Sequence, residues 1–256
     1  MSISGLELSI LLPAFLAGLL VLVSHVPLGM QVLARGIVFI DLAIAQIAGL
    51  GVIAADLLGF EPQGIGVQVS AVGAALLGAL LLTYSEKRWP EVQEALIGAL
   101  FVLAATGSIL LLAHNPHGGE QLKDLLVGQI LWVNYTQLPL AAAVSLAVAA
   151  LWFAWGARLG RLGFYVLFAF AVTVSVQLVG VYLVFASLIV PALATRHYAA
   201  PRRLNAAYAL GFAGYLFGLI TSSVWDLPAG AMIAWAMALL GILVYALGPR
   251  RARSAL

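Results

Sequence analysis

The residue whose side chain most clearly could bind an ion or a proton is Asp41, a lone carboxylate inside the apolar run from Gly36 to Gly51. Holding an aspartate near the middle of a membrane costs about 2.5–3.5 kcal/mol on insertion scales, so such side chains usually face a protein interior or a water-filled path. We therefore predict a functional site at Asp41. The alternative is a structural aspartate that is hydrogen-bonded to a neighbouring helix.

A second group of potential ligands consists of His114, His117 and Glu120. Imidazole and carboxylate groups suit zinc, and histidines at i and i+3 can chelate a metal ion where the backbone turns. Pro116 and two neighbouring glycines indicate a turn-rich loop, which needs no ligand to explain it. The segment is predicted either to capture metal or to be an ordinary loop.

A third group is the basic segment that contains Arg196, His197, Arg202 and Arg203. It follows a long apolar run. Loops on the cytoplasmic side of a membrane carry an excess of lysine and arginine, so the segment by itself indicates an ordinary loop that sets topology.

Composition defines the environment of these groups. The chain has 256 residues, of which 64% are hydrophobic and 9% charged, whereas soluble domains carry roughly 25% charged residues. The apolar runs are rich in leucine and alanine, which favours helices over barrel strands. We predict an all-α integral membrane protein with a single transmembrane domain over residues 1–256. The absence of cysteine excludes disulfides and thiol chemistry, and a net charge of +2 is too small to indicate nucleic acid.

Polar breaks separate eight apolar runs: 8–26, 37–58, 65–84, 95–113, 138–155, 164–195, 204–225 and 230–247. One helix needs about 20 residues to cross the hydrocarbon core, and the sixth run is much longer. Gln177 and Gly180 lie near its middle, which predicts a hairpin of two short helices at about 164–195. The polytopic bundle would then have eight or nine transmembrane helices. A broken helix exposes its backbone only where it lines a cavity or is buried in protein. Gln177 is therefore a candidate residue of a path across the membrane.

The charges support this layout. With the N-terminus outside and a hairpin in the sixth run, every basic residue except Lys123 falls on one side of the membrane. The positive-inside rule then places the C-terminus in the cytoplasm and the segment from His114 to Glu120 outside.

The stretch from Val176 to Arg196 contains a Gln-Leu-Val-Gly segment and a Leu-Ile-Val-Pro-Ala turn, followed by the basic segment. It resembles the metal-uptake permeases of bacterial ABC transporters, the zinc and manganese importers. Four further blocks agree with that family in the same order along the chain: Leu33–Gly36, Phe39–Asp41, Glu94–Phe101 and Asp226–Gly230.

The resemblance implies a multi-pass permease of the bacterial inner membrane that carries a divalent metal as its substrate, either zinc or manganese, with iron or a metal chelate as further options. It implies a homodimer in the lipid bilayer, an extracytoplasmic metal-binding protein and cytoplasmic ATPase subunits that use the ATP. Arg196, His197, Arg202 and Arg203 would dock on the ATPase. The chain has no G-x-x-x-x-G-K-[ST] loop of its own, so we expect a transport subunit that is not an enzyme and binds no cofactor.

The resemblance also implies a metal site in which an aspartate is followed four residues later by a histidine on the same helix face. Asp41 matches the aspartate, but Ala45 occupies the histidine position. Gln46 is the nearest replacement, and it lies about 140° around the helix from Asp41. A carboxylate with an amide oxygen is a harder ligand set than a carboxylate with an imidazole. A transient metal site, a chelated substrate and a structural aspartate remain alternatives.

Two other functions remain open at this point. A gradient-driven secondary transporter is expected to show repeated halves with broken helices at matched positions, and no convincing halves are visible. An intramembrane enzyme is expected to carry a catalytic motif, and neither H-E-x-x-H nor G-x-S-x-G occurs in the sequence. The leading prediction is an ABC permease for metal import.

Overall fold

The computed structural model describes residues 8–61, 64–156 and 158–249, and the regular structure in these residues is entirely helical. Eight helices are long and apolar enough to cross a membrane, and a ninth, α8, is apolar but shorter. The helices are α1 (Leu8–Arg35), α2 (Ile40–Leu57), α3 (Ile65–Arg88), α4 (Gln93–Leu112), α5 (Gly118–Val127), α6 (Leu138–Trp155), α7 (Gly160–Val179), α8 (Val181–Ala194), α9 (Ala200–Trp225) and α10 (Ala229–Leu247). The prediction of a polytopic helical membrane protein is confirmed.

The long sixth run is divided at Gly180, as predicted. Gly180 has φ 80° and ψ 163°, a backbone conformation that is essentially restricted to glycine. The two segments differ in length, because α7 has 20 residues and α8 has 14. The expectation of two short helices is therefore wrong for α7. This helix begins at Gly160, before the apolar run, and its basic first turn is stabilised by an ion pair between Arg161 and Glu86 at 3.5 Å.

Small residues allow the helices to approach one another closely. A Cβ atom on Gly29 would lie 2.0 Å from the carbonyl oxygen of Leu188, so α1 and α8 are in backbone contact. Gly214 and Gly218 on α9 pack in the same way against α10. Between helices in lipid the hydrophobic effect contributes little, and close packing of small residues drives association instead. The Gly214–Gly218 motif is accordingly a packing element.

Most basic residues of the described chain collect at one end of the bundle, here called the basic end. Arg35 at the end of α1 and Arg161 at the start of α7 both pair with Glu86 at the end of α3. Helices α1 and α9 run antiparallel, since Gly18 lies against Tyr215 and Leu22 against Gly211. The turn between α8 and α9 therefore lies at the basic end as well.

The opposite end of the bundle carries α5, an amphipathic helix that contains Lys123. Large apolar side chains cover the outward faces of the spanning helices, including Leu77, Leu110 and Trp235, which are each exposed by two thirds or more. Such a surface is suited to lipid. Arg250, Arg251 and Arg253, which contributed to the predicted charge asymmetry, lie outside the described residues.

Candidate functional site

Asp41 lies close to one end of its helix. Helix α2 begins at Ile40, so Asp41 lies in the first turn of that helix and not in the middle of a helical stretch from Gly36 to Gly51. The apolar residues before it form a turn after Gly36, which has φ 70°. The start of a helix favours negative charge because its free N–H groups and its dipole are both positive there.

The Asp41 side chain is nevertheless completely buried. Neither of its carboxyl oxygens has a hydrogen-bond partner among the described residues. A buried polar group without a partner is costly, and in native proteins each such group requires a specific explanation. This isolation is what distinguishes Asp41 from an ordinary structural aspartate, which is expected to bond to a neighbouring helix.

Glu94 provides a second carboxylate at the start of α2. The backbone N–H of Phe39 donates a hydrogen bond to Glu94 Oε1 at 3.3 Å, so a side chain from α4 holds the residue that precedes α2. Glu94 Oε2 is buried and has no partner in the described part of the chain. In the sequence, Glu94 drew attention only as the first residue of the block Glu94–Phe101 that resembles the family. The sequence signal for its contact with Phe39 is the position of a carboxylate in the first turn of an apolar helix.

Ala45 and Gln46 are both buried within α2. Gln46 lines an apolar cavity of about 480 Å³ with Leu42, Phe101 and Phe185, and its Oε1 has no partner among the described residues. Asp41 does not line this cavity. The structure thus leaves Asp41 and Gln46 facing different surroundings, as their angular separation on the helix predicts.

A second cavity of about 460 Å³, here called the polar cavity, lies between α2, α5 and α7. Gln177 lines it, and its amide is fixed at both ends: Nε2 donates to the carbonyl oxygen of Thr173 at 3.3 Å, and Oε1 accepts from Gln68 at 2.6 Å. The other polar residues in its lining are Asp56, Gln121, Asp124, Gln129, Gln137 and Thr173. Sequence reasoning missed Asp56 and Asp124, because charges near helix ends look like ordinary interfacial residues.

The segment from His114 to Glu120 is only partly a loop. Helix α5 begins at Gly118, which places Glu120 in its first turn and His117 just before it. His117 Nδ1 lies 3.7 Å from Glu120 Oε2, and both side chains are exposed. Within residues 8–61, 64–156 and 158–249, no three histidine or acidic side chains are grouped closely enough to hold a metal ion. Capture of metal by His114, His117 and Glu120 stays a prediction. The contact between His117 and Glu120 is the observation that supports it.

The basic segment forms a short turn and the start of α9. Arg196 donates to the hydroxyl of Tyr245 at 3.2 Å and to His197 Nε2 at the same distance, and its guanidinium lies over the Tyr245 ring. Arg203 donates from Nη2 to the carbonyl oxygen of Ala192 at 3.4 Å. Arg202 is exposed. The four residues therefore share one surface, but Arg196 and Arg203 also hold the turn in place.

Comparison with known proteins assigns this helical bundle to a family. The family model described as the ABC 3 transport family matches residues 7–159 and 156–248. The chain belongs to the ABC 3 transport family. It is a transport permease of an ABC system, with the helical bundle described above as its membrane-spanning part.

Individual proteins agree with the family. This ABC 3 permease is 23% identical over 255 residues to the high-affinity zinc uptake system membrane protein ZnuB of Haemophilus influenzae, covering 91% of this chain and 96% of that one. Its fold is similar to a chain of PsaBC from Streptococcus pneumoniae in complex with Fab, with a TM-score of 0.74, 20% identity, and coverage of 94% of this chain and 91% of that chain.

A second solved structure has the same fold. It is an ABC transporter assigned to the metal-chelate type and solved in an inward-facing conformation. The TM-score is 0.72 at 19% identity, with 92% of this chain and 86% of that chain covered. These two likenesses establish that the ABC 3 permease shares the fold of both chains.

Proposed function

We propose that this permease imports a divalent metal ion, zinc or manganese, with energy from ATP hydrolysed by separate subunits. The observation that carries the choice of a cation is Asp41, a completely buried carboxylate whose two oxygens have no partner among the described residues. A passing cation would neutralise this charge and supply the missing interactions. The zinc uptake protein that is similar to this chain supports a metal as the substrate.

The partners follow from what the permease itself lacks. The sequence contains no phosphate-binding G-x-x-x-x-G-K-[ST] motif, so ATP must be hydrolysed by another chain. We propose that two permeases form a homodimer in the bacterial inner membrane and that a cytoplasmic ATPase docks on each at the turn between α8 and α9. An extracytoplasmic binding protein would deliver the metal at the opposite end. This orientation, with a cytoplasmic C-terminus, is supported by the accumulation of arginines at the basic end.

The metal site at Asp41 is proposed to be transient. Ala45 leaves the helix without the imidazole that would make a tight zinc site, and Glu94 supplies a second, partly buried carboxylate at the start of α2. Carboxylates alone bind divalent cations less selectively than mixed carboxylate and imidazole sets. A site of low selectivity and moderate affinity suits a transporter, because the ion must leave as well as enter.

The test is metal uptake into proteoliposomes that contain the permease with its ATPase and binding protein. We expect uptake of ⁵⁴Mn²⁺ or ⁶⁵Zn²⁺ only with ATP, and loss of most of that uptake in Asp41→Asn. Asp226→Asn is the matched control, because it makes the same chemical change in the turn before α10, where asparagine also tolerates the observed φ of 53°. Uptake driven by an ion gradient without ATP would support a secondary transporter and refute the proposal.

A further inference from the structure

We propose that the polar cavity is a binding site for a divalent cation that prefers oxygen ligands, of the manganese class rather than the zinc class. The inference rests on the proposed function, since it assigns the substrate class of the same permease. The site is separate from Asp41, which does not line this cavity. It lies at the end of the bundle opposite the basic end, where an ion would enter during import.

The charge of the lining selects a cation. Asp56 and Asp124 supply two carboxylates, and the remaining polar groups are amides and one hydroxyl. No lysine, arginine or histidine is among the described residues that line the cavity. Lys123 is adjacent to Asp124 in sequence but does not belong to the lining. The carboxylates therefore have no basic partner within the cavity.

Thr173 adds to the wall of the cavity a hydroxyl that is unpartnered within the described part of the chain. Threonines in helices commonly donate to the carbonyl oxygen four residues earlier. In this protein that bond is present at 2.7 Å for each of four others: Thr83, Thr106, Thr195 and Thr221. Thr173 is the exception. It is completely buried in the wall of the polar cavity, and its hydroxyl has no partner among the described residues.

The surrounding helices place these side chains in the wall of one cavity. Gln121 and Asp124 lie one turn apart on α5 and so share a face. Gln121 Nε2 donates to Asp56 Oδ2 at 3.2 Å, which holds this face of α5 against the end of α2. The contact is possible because α2 has Gly49 at the crossing, where a Cβ atom would lie 2.7 Å from the side chain of Leu125. Thr173 and Gln177 complete the wall one turn apart on α7.

The donor set determines the class of ion. Carboxylate, amide and hydroxyl oxygens suit magnesium, calcium and manganese, whereas imidazole and thiolate suit zinc. Two carboxylates are too few for a tight chelating site, and the described residues contain no group of three histidine or acidic side chains. A volume of about 460 Å³ holds an ion together with several water molecules. The expected ligand is a partly hydrated, exchangeable manganese ion.

The test measures Mn²⁺ binding by the loss of the free-ion electron paramagnetic resonance signal. The sample is the complete permease–ATPase complex in nanodiscs without nucleotide. Asp41→Asn serves as the background, so that binding at Asp41 does not contribute. We expect Asp56→Asn with Asp124→Asn to weaken Mn²⁺ binding at least tenfold and Thr173→Val to weaken it severalfold. Glu61→Gln, which removes one carboxylate charge outside the cavity, is expected to leave binding unchanged.

Two results would overturn the inference. One is Mn²⁺ binding to the Asp56→Asn, Asp124→Asn protein as strong as to the background protein, and the other is a failure of excess Ca²⁺, which also prefers oxygen ligands, to displace Mn²⁺ from the background protein. Asp124→Asn alone, at an exposed position, serves if the double variant does not fold. ATP-driven uptake separates the two proposals. If uptake is ATP-driven but insensitive to the cavity variants, this inference fails while the proposed function stands. If the cavity binds Mn²⁺ but no ATP-driven uptake occurs, the proposed function fails.

Discussion

Gly128 and Gly180 meet backbone to backbone at the end of the bundle that carries the polar cavity. Gly128 ends α5, Gly180 joins α7 to α8, and both have positive φ values of 72° and 80°. A Cβ atom on Gly128 would lie 2.2 Å from the carbonyl oxygen of Val179, and one on Gly180 would lie 2.3 Å from the Gly128 nitrogen. The contact therefore fixes the position of α5 against the break between α7 and α8.

Replacing either glycine by alanine is expected to destabilise the permease. The backbone conformation alone costs an L-amino acid about 1–3 kcal/mol, and the new methyl group would also displace the facing backbone. We expect Gly180→Ala and Gly128→Ala to lower the melting temperature in detergent and to reduce uptake. Gly73→Ala is the control, because Gly73 has open space around its Cβ position, and alanine there should raise helix stability by about 0.5–1 kcal/mol. A wild-type melting temperature for Gly180→Ala would show that the contact is unimportant.

The break at Gly180 was predictable, whereas its partner was not. The run from 164 to 195 exceeds the length of one crossing, and a glycine near its middle marks the place to bend. Gly128 lies in a separate segment, and its close approach depends on how α5 folds back over the bundle. The helical character of α5 was itself missed, because the glycines at 118 and 119 indicate a turn before they indicate a helix start.

The position of Asp41 within α2 was equally hidden from the sequence. The residues from Ile37 to Phe39 are as apolar as those that follow, so hydropathy cannot distinguish a buried turn from the first turn of a helix. The chemical importance of Asp41 was nevertheless evident, since a carboxylate in such surroundings is costly wherever it lies. The oxygen atoms of the polar cavity come from three helices, and their convergence required the tertiary structure.

Glu86 is expected to hold the basic end together. Its carboxylate lies 4.0 Å from Arg35 and 3.5 Å from Arg161, and so connects α1, α3 and α7. Its side chain is only 16% exposed, which limits screening by water. We predict that Glu86→Gln lowers the free energy of unfolding by about 1–3 kcal/mol, because two arginines lose their charged partner. Chemical denaturation in detergent measures this change. Glu91→Gln, an exposed position at the same end, should have little effect.

The pair formed by His117 and Glu120 distinguishes the two candidate metals. Imidazole favours zinc over manganese, so His114→Asn with His117→Asn is expected to raise the half-saturating concentration for zinc uptake severalfold. Manganese uptake by the same variant should be unchanged, which makes it an internal control. Zinc uptake and manganese uptake are both measured in proteoliposomes at limiting metal concentrations. Equal zinc uptake by the variant and the wild type would show that this segment is an ordinary connection between helices and does not capture metal.

Arg202 and Arg203 are adjacent but are expected to respond differently to charge reversal. Arg202 is exposed, whereas Arg203 donates to the carbonyl oxygen of Ala192 near the end of α8. If an ATPase docks here through acidic residues, Arg202→Glu places like charges together at the interface, which costs several kcal/mol. Because 1.4 kcal/mol corresponds to a factor of ten, ATP-driven uptake should fall more than tenfold while the melting temperature stays unchanged. Arg203→Glu should lower both.

The matched control for this pair is Arg88→Glu, an exposed arginine at the end of α3 that is not part of the turn between α8 and α9. It makes the same charge change at the basic end and should leave uptake intact. Co-purification of the ATPase with each variant identifies the step that is lost, since Arg202→Glu should release the ATPase and Arg88→Glu should retain it. Wild-type uptake by Arg202→Glu would place the docking surface elsewhere on the permease, because no folding defect could then mask a contact at this turn.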